Sequence, residues 1–225
     1  MQEEFNQLPQ IDSRLRKNIL RMPEAVFQAS GIVINGRRIK SFVFTTDLAI
    51  IRNCDADAVF AVYPFTPQPA ITQAIIGVSE VPVFCGVGGG LTNGVRSASM
   101  AAYVEHQGAY GVVCNSKIGV ETIHAIKDAV EIPVVYTVIS ENTDIQPYLT
   151  AGVDIINVSG AARTPEIVGT LRQRYPELPI IATGGPTEES ILATIRAGAN
   201  AITYTPPSSA SLFAKTMADN RSELE

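Results

Sequence analysis

Three times along the chain an acidic residue is followed by an aliphatic one, a proline and a further aliphatic. The runs are Glu80-Val81-Pro82-Val83, Glu131-Ile132-Pro133-Val134 and Glu177-Leu178-Pro179-Ile180, at spacings of 51 and 46 residues. Between them recurs a glycine, then alanine or valine, then a polar or aromatic residue: Gly108-Ala109-Tyr110, Gly152-Val153-Asp154 and Gly198-Ala199-Asn200, spaced by 44 and 46. Cys54-Asp55-Ala56-Asp57 takes the same place one unit earlier, without its glycine. A fixed period of this size narrows the chain to architectures made of repeated units. Proline is tolerated as the first residue of a strand, where its missing N–H breaks no ladder. Glycine ahead of a strand is the usual left-handed stop for a helix. The two signals therefore frame alternating strands and helices.

After each signal comes a short apolar run: Val83–Cys85, Gly111–Cys114, Val134–Ile139, Asp154–Val158, Ile180–Ala182 and Asn200–Tyr204, with Ile39–Thr45 and Ala58–Tyr63 before them. Continuous rather than alternating apolar runs mark strands buried on both faces, as in parallel sheets. Helical patterns fall between them, most clearly over Asn93–His106, Val120–Val130, Pro165–Tyr175 and Thr187–Ala197, with Ser208–Glu225 as the last. The count comes to eight strand–helix units. Setting aside residues 1–37 leaves 188 residues, about 23.5 per unit, enough for a short strand, a helix of three turns and two loops. The expected fold is a single (β/α)8 barrel over residues 38–225, preceded over residues 1–37 by a helical segment and a hairpin. The helical segment is the polar amphipathic stretch over residues 7–30. The hairpin is signalled by Asn35-Gly36 between β-prone residues, and is expected to lie under the N-terminal mouth of the barrel. A doubly wound open sheet is the competing arrangement.

Composition limits the function classes. Lys and Arg number 17 against 22 Asp and Glu, a net charge of −5, which removes the basic footprint of a nucleic-acid binder. Mean hydropathy is +0.16, yet no apolar run reaches the ~18 residues of a membrane span. The three cysteines, Cys54, Cys85 and Cys114, cannot pair completely and lack metal-ligand spacing. No signal peptide is read in the first twenty residues. The expectation is a cytoplasmic protein with no nucleic-acid or membrane partner, and with self-association open to the leading helix.

In such a barrel, chemistry gathers where strands end and helices begin. The repeat aligns Thr45, Gly86, Thr137 and Thr183 after the odd strands. After the even strands it aligns Phe60 and Val62, Val113 and Asn115, Asn157 and Ser159, Thr203 and Thr205. Asn157 stands out, because an amide inside a strand needs partners when buried. Ile180-Ile181-Ala182-Thr183-Gly184-Gly185-Pro186-Thr187-Glu188-Glu189 is the strongest local motif. Its glycines let the backbone approach a ligand, and the following helix N-terminus suits an oxyanion.

That motif, with Ala197-Gly198-Ala199-Asn200-Ala201-Ile202, resembles the seventh and eighth units of the phosphate-binding TIM barrels. These are the ribulose-phosphate-type epimerases, thiamin-phosphate synthases, keto-acid-phosphate aldolases and sugar-phosphate epimerases. The resemblance covers residues 150–205, the rest only as architecture, and singles out no one family. It implies phosphate on the Gly184 and Gly185 backbone beside Thr183. After the eighth strand, where those families carry Gly-Ser or Gly-Thr, this chain reads Thr205-Pro206-Pro207-Ser208-Ser209, leaving Ser208 and Ser209 as substitute donors. The aldolase lysine of the sixth strand is replaced by Ile156-Asn157, so that chemistry is not carried over.

A second glycine-rich run, Gly86-Val87-Gly88-Gly89-Gly90, fits neither a dinucleotide fingerprint nor a P-loop. Gly88 and Gly89 are read as an anion nest or lid, with Arg96 nearby as a source of charge. Lys117, after the fourth strand, is a candidate Schiff-base or carboxylate-binding lysine. Asp47 is a candidate proton carrier or a helix cap, and Glu141 likewise. Arg163 is a candidate oxyanion clamp, and Tyr63 and Tyr204 are rim aromatics. His106 and His124 fall on outer helices, so no metal site is expected.

The leading expectation is an enzyme acting on a phosphorylated or carboxylated small molecule by isomerase, epimerase or carbon–carbon lyase chemistry. Lys117, Asp47 and Asn157 would face the reacting carbon. Gly184, Gly185, Thr183, Ser208, Ser209, Gly88, Gly89, Asn115, Arg163 and Thr137 would bind the anion. A non-catalytic phosphometabolite-binding barrel is the alternative. No cofactor is required, and flavin mononucleotide (FMN) is a weaker reading.

Overall fold

Eight parallel strands close into a barrel. The structure, a computed structural model, describes Ile11, Ser13 and residues 19–222. A hairpin of β1 (Ile32–Ile34) and β2 (Arg37–Ile39) precedes the barrel strands β3 (Ser41–Phe44), β4 (Ala58–Ala61), β5 (Val83–Gly88), β6 (Gly111–Cys114), β7 (Val134–Val138), β8 (Ile155–Val158), β9 (Ile180–Thr183) and β10 (Ala201–Tyr204). Neighbours follow in chain order, and β10 pairs with β3 to close the ring. The helices between them are α1 (Leu48–Arg52), α2 (Pro69–Val78), α3 (Val95–His106), α4 (Val120–Lys127), α5 (Gln146–Thr150), α6 (Thr164–Arg174), α7 (Glu188–Arg196) and α8 (Ser209–Ser222). This is the (β/α)8 barrel expected from the repeat, not an open sheet. Asn35 and Gly36 both take positive φ (47° and 78°), the turn that matches a hairpin's twist.

The recurrent polar residue ahead of the even strands has a structural use. At the barrel floor, Asp57 Oδ2 accepts the Lys40 and Ser41 amides, Asp154 Oδ2 the Val134 amide, and Asn200 Oδ1 the Ile180 amide. Each side chain thus pairs the first N–H of the preceding strand. Tyr110 departs from the pattern and turns its hydroxyl to the Ile34 carbonyl of the hairpin.

Two apolar layers result. The outer one lies between strands and helices. The inner one fills the lumen with Phe42, Ala58, Phe60, Phe84, Val113, Val135, Ile155, Ile181 and Ala201, floored by Ile32, Ile34 and Ile39. Phe42 meets Phe60 and Phe84 edge to face, with centroids 5.7 and 5.1 Å apart. Phe84 fits because β6 opens on Gly111, where a Cβ would come within 2.5 Å of its ring.

The helical segment expected over residues 7–30 falls outside the described residues up to residue 18, apart from Ile11 and Ser13. From residue 19 it is not an α-helix. Leu20 bridges to Cys54, and Pro23, with extended ψ, leads into one 3-10 turn, Glu24–Gln28. Proline supplies no N–H and pushes its predecessor out of the helical region. The turn packs against α7, and Met22, Ala25, Val26 and Ala29 join the outer core. The last helix, α8, by contrast buries no side chain. No described helix is long and apolar enough to cross a membrane.

Candidate functional site

Above the packed lumen, at the C-terminal ends of the strands, lies a cavity of about 440 Å³. Its walls are apolar: Phe44 from β3, Phe60 and Val62 at the end of β4, Val113 from β6, and Ile139 just past β7. The run Tyr63-Pro64-Phe65 with Pro67 forms a stiff rim, pinned where the Gln68 amide donates to Tyr63 Oη at 2.8 Å. Gly86, Gly88 and Gly90 supply bare backbone on the β5 side. The polar groups, besides the Tyr63 hydroxyl, are Asn115, Thr137, Asn157, Ser159 and Thr92, with no Lys, Arg, Asp or Glu among them.

Asn157 is the deep polar group. It is 6% exposed, and its Nδ2 donates to Thr137 Oγ1 at 3.2 Å across the β7–β8 pair. Its Oδ1 has no protein partner. A buried acceptor left unpaired costs about 1–3 kcal/mol, and Asn157 is one of the residues that line the cavity. Ser159 and Asn115 stand higher and are exposed. Asn115 Oδ1 accepts from the Ser116 amide and hydroxyl, which leaves Nδ2 as its donor.

The structure thus brings Asn157, Thr137, Asn115 and Gly88 together and separates them from the other residues singled out by sequence. Asp47 serves as a cap: its carboxylate accepts from the Ala49 and Ile50 amides at the start of α1. It also meets Ser209 at the start of α8, whose hydroxyl chiefly holds the carboxyl below its usual value. Lys117 is exposed and outside the cavity wall. Arg163 is exposed and paired with Glu141 and Glu166. Glu141 is held below the ordinary range first by its own amide and then by Arg163.

Two amides of the turn after β9 are paired within the fold. The Gly184 amide donates to the Thr203 carbonyl at 3.2 Å, and the Thr187 amide to Ser190 Oγ. Thr187 Oγ1 in turn accepts from the Ser190 amide, a capping box over the first turn of α7. Glu189 bends back to its own amide and the Thr187 hydroxyl, which hold its carboxyl below the usual value. Gly185, at φ 83°, has Ser190 against it. Thr183 sits beside Thr203 in the ladder, outside the cavity wall. Ser208 caps the Ser211 amide, so the substitute donors after β10 also serve the fold.

The glycine-rich loop is stitched down. The Gly89 amide donates to the Thr92 carbonyl and the Asn115 amide to the Gly88 carbonyl. Gly89 takes φ 94°, and a Cβ there would strike the Asn115 backbone at 2.6 Å, so only glycine fits. Cys85 and Cys114 face the outer core, where burial pushes both thiols up to about 12.

Some cavity residues escaped the sequence reading. Phe44, not Thr45, faces the lumen, because a one-residue shift in a strand reverses its faces. Thr45 Oγ1 instead accepts the Asp47 amide. Ile139, Leu91, Thr92 and the proline-rich rim were also missed. The density of prolines from Pro64 to Pro69 was the available signal for a rigid wall.

No protein-family model matches the chain, and no curated protein matches it in sequence. Solved structures do share its fold. A phosphoenolpyruvate phosphomutase from Streptomyces platensis subsp. rosaceus is 17% identical, with 88% of this chain and 83% of that one aligned at a TM-score of 0.63. A phosphonopyruvate hydrolase in complex with oxalate and Mg++ is 15% identical over 82% and 80%, TM-score 0.62. A 2,3-dimethylmalate lyase, a member of the PEP mutase/isocitrate lyase superfamily, is 14% identical over 89% and 84%, TM-score 0.63. These similarities concern the barrel.

Proposed function

We propose that this chain is a small-molecule metabolic enzyme that takes a carboxylated metabolite with an aliphatic body into the mouth cavity and acts on it by lyase or isomerase chemistry. The observation that carries this reading is a cavity with apolar walls on which Asn115, Thr137, Asn157 and Ser159 converge. A concave apolar site with a few convergent polar groups is the ordinary form of a ligand pocket. Three barrels of the same shape act, by their names, on small carboxylated or phosphorylated compounds, which supports the class. Of the two, a carboxylate fits better. No lysine or arginine lines the cavity to meet a phosphate dianion.

In this reading Phe44, Phe60, Val62 and Val113 exclude water around the aliphatic body. Asn115 Nδ2 and the Thr137 and Ser159 hydroxyls donate to the carboxylate. Tyr63, the one ionisable side chain among the lining residues, already accepts the Gln68 amide and keeps its own O–H to offer. It would hold the proton at Oη beside the reacting atoms.

Magnesium accompanies oxalate in the hydrolase relative. The residues here do not fit it. No carboxylate lines the cavity, and among the described residues no three His, Cys, Asp or Glu side chains cluster. Protein magnesium sites draw on one or two carboxylates. Flavin mononucleotide gains no support either, since Gly184 and Thr187 after β9 spend their amides on their own chain.

A second reading, a non-catalytic metabolite-binding barrel, is favoured by Tyr63 being alone as an ionisable lining group. One experiment separates the two. A panel of branched carboxylic acids is titrated while the Asn115 and Asn157 side-chain amide signals are followed by NMR, and product formation is read in the same tubes. Binding with turnover that Tyr63→Phe abolishes supports the enzyme. Binding without turnover supports the second reading, and signals that move only around the β9–α7 turn would overturn both.

A further inference from the structure

The lining of the mouth cavity divides into two arcs. Four of its amide and hydroxyl side chains, Asn115, Thr137, Asn157 and Ser159, come from β7 and β8 or the residues just after β6 and β8. The other arc, from β3 to the loop after β5, carries Phe44, Phe60, Val62, Phe65 and Leu91. This apolar arc continues out to the opening. Phe60 is buried, Phe44 and Val62 are half-buried, and Phe65 and Leu91 are 69% and 86% exposed. Ile139, 55% exposed, adds a third apolar side chain to the rim from just after β7.

Both loops of the apolar rim are fastened. The Gln68 amide donates to Tyr63 Oη across the segment that bears Phe65. The turn that bears Leu91 is tied by the Gly89 amide to the Thr92 carbonyl and by Asn93 Nδ2 to the Gly90 carbonyl, at 2.8 and 3.2 Å. Loops held this way keep Phe65 and Leu91 in water instead of folding them away. Several large exposed apolar side chains around one opening mark an interaction surface. Continuity decides what covers them. The apolar lining runs from Phe60 at depth to Leu91 outside, and a flat protein surface would meet only its outer end. A hydrocarbon chain rising from the cavity meets all of it. A second carboxylate on that chain would be desolvated against Phe44, Phe60 and Val62, with no Lys or Arg in the lining to meet it.

We infer that the ligand of this cavity is a monocarboxylic acid whose hydrocarbon chain is long enough to leave the cavity over Phe65 and Leu91. The inference rests on the mouth-cavity reading above and names its substrate class: the carboxylate lies on the amide and hydroxyl arc, and the chain on the apolar one.

Butanoate, hexanoate and octanoate are titrated into the full chain by calorimetry, with the Asn115 and Asn157 side-chain amide signals followed by NMR. Burial of one methylene is worth about fourfold in affinity. Octanoate has four more methylenes than butanoate, partly covered by the rim, and should bind at least about tenfold tighter. Hexanedioate, which ends the chain of hexanoate in a second carboxylate, should bind about tenfold more weakly than hexanoate. Leu91→Ser and Phe65→Ser change exposed loop residues, and each should shrink the octanoate-to-butanoate affinity ratio about threefold. Val33→Ser, comparably exposed on the hairpin at the other end of the barrel, should leave that ratio as it is. A ratio near one, or a ratio that both rim variants leave unchanged, overturns the inference. A diacid that binds as tightly as hexanoate overturns the single charge. A mass by light scattering that halves in Leu91→Ser or Phe65→Ser also overturns it, because a second copy would then cover the rim. If no acid shifts the Asn115 or Asn157 signals, the mouth-cavity reading itself fails, a result distinct from acids that bind without regard to chain length.

Discussion

At the scale of single residues, the lumen is decided by exchanges of volume and of hydrogen bonds. Gly111 yields its side-chain space to Phe84, which in turn stacks edge-on with Phe42. Gly111→Ala places a methyl 2.5 Å from the Phe84 ring, and overpacking of this kind costs about 1–3 kcal/mol. Urea unfolding should show a lower midpoint at an unchanged slope; a variant as stable as the parent would mean that the lumen has slack. Asn157 was legible as unusual from its place in an apolar strand. Its unpaired oxygen was not, because that depends on Thr137, twenty residues away, claiming the other end of the amide.

At the scale of elements, the ends of helices explain why several candidate site residues serve the fold instead. Asp47 caps α1 and reaches Ser209 at the start of α8, so one carboxylate ties the first helix of the barrel to the last. Asp47→Ala should lose about 1–2 kcal/mol of stability, in the range of a lost N-cap, read as a lower thermal midpoint. Binding of carboxylic acids at the mouth should be unchanged. A loss of binding with full stability would return Asp47 to the site. The same logic applies to α7, whose Thr187–Ser190 capping box was visible in the sequence only as a threonine ahead of two glutamates. Serine at the third helical position completed the box, and the Gly184 and Thr187 amides were taken up.

At the scale of the whole molecule, the outer core sets a response to pH. Cys85 and Cys114 are buried, and burial raises both thiols from 9.0 to about 12. In the unfolded chain they ionise near 9, while in the folded barrel they stay protonated. The unfolded state therefore binds fewer protons between these values, and stability falls as pH rises through that window. Each thiol contributes a slope of about 1.4 kcal/mol per pH unit there. Denaturation of the parent and of Cys114→Ala at a series of alkaline pH values checks this; the variant should fall less steeply. Identical slopes would show that Cys114 does not resist ionisation. Below pH 9 both thiols are protonated in either state and add no pH dependence.

The barrel was legible in the sequence because its determinants are local and periodic. A proline opening a strand, a glycine closing a helix and an unbroken apolar run each act within a few residues, and their recurrence counts the units. The hairpin turn at Asn35-Gly36 was legible for the same reason. What only the tertiary structure decided was which groups remained free. Gly184 spends its amide on Thr203, Asp47 meets Ser209, and Phe44 rather than Thr45 turns inward. Each outcome depends on a partner supplied by a distant part of the chain, or on a strand register set by its neighbours. A binding site is made of groups whose hydrogen bonds the fold has not already used. Sequence lists the groups; closure of the barrel determines which of them are used.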